Sequence, residues 1–240
     1  MLPSESPFPC YWWGTSLENA GLSDVRPDVG TYGQYEFDRL PPLPFEMRGD
    51  FAWLAQRPAF DHNIGEERAA EIAFALPKLR DAANRLGIRL PESFTRFMGS
   101  PELHQRVRSN TDCYLNLCDE LVRSPIGGGW LVRFLADSQG CRFWYLYLTP
   151  DGSDHAVVSS RDFYGSETEQ WQDEPLDPSE TEQWQDEPLD PSEIVYNAES
   201  FEAFMCRFWL ENEIWYAASE KTPMLDVGRE YIERYRRGGA

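Results

Sequence analysis

"GWLVRFLADSQGCRFWYLYLTPDGSDHAVVSS", residues 129–160, is the stretch that decides the fold. It holds three runs rich in branched and aromatic side chains, at 130–136, 141–149 and 155–160. Such residues suit a pleated surface. Asp137 to Gly140 form a connection of hairpin length, and "TPDG" at 149–152 sets Pro and Gly where a turn uses them. Connections this short exclude parallel crossovers, which need a dozen or more residues. The stretch therefore predicts an antiparallel meander. Its middle run is apolar at nearly every position, so both faces of that strand are expected to be covered.

Outward from the meander, Cys113 to Leu117 reads as a preceding strand and "EIVYNA" at 193–198 as a following one. Upstream, "GEERAAEIAFALPKLRDAANRLG" is helical from Glu66, with Gly87 as its stop and Pro77 predicting a kink or two consecutive helices. "LPESFTRFMG" follows, with Pro91 at the first helical position and Glu92 at the positive helix end. Ser100, Pro101 and Glu102 repeat that device. Downstream, Phe201, Phe204, Met205, Phe208 and Trp215 share one helical face, and Ser200 is its N-cap. In the last segment Arg229, Arg234, Arg236 and Arg237 suit the carbonyl end of a helix; a polyanion-binding tail is the rival reading. The fold class is thus α+β, an antiparallel sheet with helices on both sides of it in sequence.

Residues 1–62 read differently. They are rich in Pro, Gly and aromatics, with "LPPLPF" at 40–45. Proline disfavours regular helix, while Tyr11, Trp12, Trp13, Phe51 and Trp53 argue against a solvated tail. The expectation is an irregular arm laid across an α+β domain of residues 63–237. The PPLP run is read as a linker, with a polyproline ligand as the alternative.

The chain has 240 residues, 41 % of them hydrophobic and 14 % aromatic, enough to bury a core. Its five cysteines are odd in number, and no pair has CxxC spacing. Free thiols in a reducing compartment account for them. The N-terminus lacks a basic region followed by a long apolar run, and no stretch approaches a membrane span. A cytoplasmic protein is expected.

Three stretches, "LGIRLPESFTRFMG" (86–99), the meander (129–160) and "SFEAFMCRFWLENEIWYA" (200–217), together resemble the SUKH superfamily. That superfamily includes fungal cell-wall assembly regulators and many bacterial immunity proteins. The resemblance covers roughly residues 65 to 217 and leaves the first 60 without a family pattern. It implies helices packed on an antiparallel sheet, and a binding protein: an immunity protein that neutralises a cognate polymorphic toxin, often a nuclease. The alternative it implies is a regulatory or scaffold protein with an endogenous partner. It carries no catalytic residue over to this chain.

Residues 166–193 contain "SETEQWQDEPLDP" twice in tandem. Eleven acids and no base fall there, more than half of a net charge of −19. Such a field repels nucleic acid and anionic lipid and attracts basic partners. The prolines break regular structure, so a tolerated acidic loop is the plain reading. The functional reading takes Trp171, Asp173 and Glu174 with Trp184, Asp186 and Glu187 as partner-binding residues. Carboxylates would speed encounter with a basic toxin, and tryptophan would anchor it.

Enzymatic signatures are missing. His62, His104 and His155 match no metal-ligand spacing, and neither a phosphate-binding loop nor a nucleophile elbow is present. No cofactor is implied. A Cys113/His104 pair is conceivable, but His104 reads as a surface residue and Cys113 as a strand residue. Glu211 and Glu213 are two apart on a helix, so they point in different directions, leaving one for a nearby arginine. The triple glycine at 127–129 fits a flexible loop before a strand.

Overall fold

In the computed structural model, which describes residues 1–25, 30–165 and 193–238, the three central runs are neighbouring antiparallel strands. They are β5 (Trp130–Ala136), β6 (Phe143–Leu148) and β7 (His155–Ser160). Short β3 (Tyr114–Leu115) and β4 (Val122–Arg123) both pair with β5, and β8 (Val195–Ala198) pairs with β7. All these pairings are antiparallel. The helices are α1 (Ala52–Ala55), α2 (Ala69–Arg85), α3 (Glu92–Met98), α4 (Pro101–His104), α5 (Phe201–Ser219) and α6 (Asp226–Gly238). The chain is an α+β protein, as the alternation of runs and turns predicts.

The six side chains of β6 are all buried, and they divide by parity. Trp144, Leu146 and Leu148 enter the main core beneath α5; Phe143, Tyr145 and Tyr147 enter a second cluster on the opposite face. A period of two sends successive side chains to opposite faces, so an unbroken apolar run requires a cover on each. Each such burial contributes about 1.5–3 kcal/mol. A β-bulge between Arg133 and Leu135 lets β5 switch faces: Val132, Phe134 and Leu135 face the main core, whereas Ala136 joins the second cluster.

The N-terminal 62 residues, expected as an irregular arm, contain a regular hairpin. Strand β1 (Tyr11–Thr15) pairs with β2 (Tyr32–Glu36) in a two-stranded sheet. That hairpin adjoins the main sheet through a bridge between Cys10 and Tyr196. Trp12 is buried against Phe204, and Phe8 covers Tyr147 edge-on at 5.0 Å. The proline content misleads because it sits outside the strands, while inside them Trp12 lies opposite Tyr35 as a cross-strand aromatic pair.

Two helices refine the expectation. Helix α2 runs through Pro77 as one element and not as two consecutive helices. Pro77 lies on the solvent side, and burial of Ile72, Ala75, Leu76, Leu79 and Ala83 outweighs the lost hydrogen bond. Helix α5 is buried on every side from Phe201 to Asn212, not along one stripe. The sheet lies on one flank, and the hairpin, the 41–53 segment and α6 occupy the rest. Its buried charges are satisfied: Glu202 accepts from Phe51 N at 2.9 Å, Gly49 N at 2.5 Å and Trp53 Nε1 at 3.1 Å. Ser200 caps it, its Oγ accepting from Ala203 N at 3.2 Å. Along α6, Arg229, Arg234 and Arg237 pair with acids one turn away, and Arg236 pairs with Asp24.

Candidate functional site

The residues singled out in the repeat, Trp171, Asp173, Glu174, Trp184, Asp186 and Glu187, lie outside the described residues. In sequence the repeat connects β7 to β8.

Among the described residues one cleft has a volume of about 570 Å³. It lies where the start of α2 meets the segment entering β3 and the far end of α5. His62, Glu66, Glu67 and Arg68 line one wall, Ser109, Asp112, Cys113 and Tyr114 the other, and Tyr216 closes it. The sequence predicted no site here, because the lining comes from segments well separated in the chain, at 62–68, 109–114 and Tyr216.

The charge at the mouth is acidic. Arg68 is already committed to Glu71 at 3.0 Å and to the Tyr114 ring at 4.5 Å. Glu66 holds exposed His62 at 3.2 Å. Glu67 and Asp112 face no ion-pair partner among the described residues, and both have left-handed backbone, with φ of 60° and 53°. Such a conformation costs about 1–2 kcal/mol in a residue other than glycine, so the surrounding chain imposes it. For Asp112 a signal existed, since aspartate tolerates that region; for Glu67 there was none.

Cys113, which lines the cleft, also belongs to a polar cluster with Tyr32, Thr111 and Asp137. Tyr32 OH donates to Asp137 Oδ2 at 2.5 Å and lies 2.9 Å from Thr111 Oγ1 and 3.2 Å from Cys113 Sγ. Burial pushes the Cys113 thiol up to about 11, so it stays protonated and is a poor nucleophile near neutral pH.

His104 is not a surface residue: it is 2 % exposed. Its Nε2 lies 2.8 Å from the Phe97 carbonyl, and burial pulls its pKa down to about 4, partly opposed by that bond. No hydrogen bond joins His104 to Cys113 among the described residues. The apolar groups of α3 and α4 enclose the ring, which sequence spacing cannot show.

Glu211 and Glu213 diverge, as their spacing predicts. Glu213 pairs with Arg108 at 2.8 Å, and that guanidinium also covers the Tyr216 ring at 3.8 Å. Glu211 is buried and accepts from Trp12 Nε1 at 2.7 Å and Tyr231 OH at 2.8 Å. The triple glycine is a close approach, not a slack loop: a Cβ on Gly129 would lie 2.1 Å from the Leu148 carbonyl. Among the described residues no three His, Cys, Asp or Glu side chains converge as a metal site, and no helix is long and apolar enough to cross a membrane.

Comparison of the chain with models of protein families, with curated proteins and with solved structures finds no match.

Proposed function

We propose that this chain is a SUKH-type immunity protein, acting in the cytoplasm, that binds a cognate basic toxin and neutralises it by occlusion without turnover. The observation that carries the reading is the cleft mouth, where Glu67 and Asp112 stand in imposed left-handed conformations. Backbone strain held in place by its surroundings is a marker of functional surface. A carboxylate mouth over tyrosine walls suits lysine or arginine side chains of a partner. A nuclease fits best, since its phosphate-binding surface carries such residues. The acidic repeat supports the same reading from sequence, with Trp171 and Trp184 as anchors and Asp173, Glu174, Asp186 and Glu187 steering the encounter.

The test is titration of a basic nuclease toxin from the same host with purified chain. Protection should saturate at equimolar ratio, and affinity should fall at least tenfold between about 50 and 500 mM salt as charges are screened. Glu67→Lys with Asp112→Lys should weaken binding by a similar factor. Salt-independent affinity removes the electrostatic mechanism. Inactivation of toxin by far less than one equivalent shows an enzyme instead.

A further inference from the structure

We propose that the cleft at the carboxyl end of α2 binds a phosphate monoester carried on an apolar body. This cleft is about 430 Å³, within the range of small-molecule sites. Arg80 and Arg89 line it together with Asn84 and Thr95. Its floor is apolar: Ile88 is 4 % and Leu90 9 % exposed, and Ala83 is buried.

The arginines are the distinguishing element. Arg96 and Arg234 each find an acid one turn away on their own helix, at Glu92 and Glu230. Arg80 has Leu76, Pro77, Ala83 and Asn84 at those positions, so its helix offers no partner. Among the described residues neither Arg80 nor Arg89 makes an ion pair or a hydrogen bond. Asp81, beside Arg80 on the helix, does not line the cleft, and the Glu92 carboxylate is engaged by Arg96. The turn that reverses the chain contains Gly87, whose φ of +71° favours glycine. It sets Arg89 in the same cleft as Arg80.

Two guanidinium forks and one amide offer more N–H donors than a carboxylate can accept, whereas a phosphate dianion has three terminal oxygens for them. Thr95 Oγ1 already donates to the Glu92 carbonyl, so the arginines and Asn84 supply the donors. The apolar floor selects an ester over the free ion. This cleft shares no lining residue with the acidic cleft and does not depend on the toxin reading.

Phenyl phosphate is the probe, titrated into the full chain by calorimetry at low salt. Saturable binding tighter than about 1 mM is expected. Arg80→Ala and Arg89→Ala should each weaken it at least tenfold, and Arg89→Lys should not restore it, because the planar fork is lost. Arg161→Ala, a change outside the cleft, should leave it unaltered. Inorganic phosphate should bind more weakly for want of the apolar contact. Matched melting curves separate binding loss from unfolding. No saturation, binding that survives both alanine variants, or benzoate binding as tightly as phenyl phosphate overturns the assignment.

Discussion

The indole of Trp12 donates to the carboxylate of Glu211 at 2.7 Å across 199 residues of sequence. The other carboxylate oxygen accepts from Tyr231 OH, which in turn accepts from Arg207 Nη1 at 2.6 Å. One buried network therefore ties the N-terminal hairpin, α5 and α6 together. Glu211→Ala should destabilise the protein by about 3–5 kcal/mol, because it leaves Arg207 without its anion and two donors unpaired. Urea unfolding with unchanged slope and a lowered midpoint checks this. A loss under about 1 kcal/mol would show that the hairpin docks without the network.

Stability should fall on mild acidification. The His104 pKa lies at about 4 in the folded chain against an ordinary 6.5. The unfolded chain therefore binds the proton first. The contribution is complete above pH 6.5 and is lost as pH drops toward 4, by about 3 kcal/mol in all. His155 is shifted in the same direction, by burial first and the N-terminal ammonium second, and adds to the slope. His104→Gln should flatten the dependence in this window while lowering stability at pH 8. An unchanged slope in that variant would remove His104 as the cause.

Gly129→Ala should be severely destabilising, since its Cβ would meet the Leu148 carbonyl and the Tyr147 ring at 2.6 Å. A loss of about 3 kcal/mol or more is expected, because backbone on β6 cannot yield as a flexible side chain does. Gly140→Ala, with open space around it but φ of +69°, should cost only about 1 kcal/mol. Thermal melts of the two variants, compared directly, test the ranking.

Glu67→Gly and Asp112→Gly should each stabilise the isolated chain by about 0.5–1 kcal/mol, by releasing left-handed strain. On the proposed function they should also weaken toxin binding. Gains in both stability and affinity would show that the carboxylates have no part in recognition.

Glu202→Ala should loosen the 49–53 segment from α5, because Gly49 N, Phe51 N and Trp53 Nε1 lose their acceptor together. Amide exchange there should rise well before global unfolding. Protection unchanged at Phe51 would argue that packing of its buried ring alone holds the segment.

Local sequence specified what near neighbours control. Runs of branched and aromatic residues set the meander, hairpin-length loops set its antiparallel sense, Ser200 set the start of α5, and Gly87 marked the end of α2. These signals act within a few residues, where dihedral preference and side-chain period operate directly. Long-range packing encloses α5 on all sides, buries His104, and brings a hairpin from the first 36 residues into the core. It alone assembled the acidic cleft and the arginine cleft. Burial and field depend on groups far away in the chain, and no local pattern specifies which distant surface will arrive.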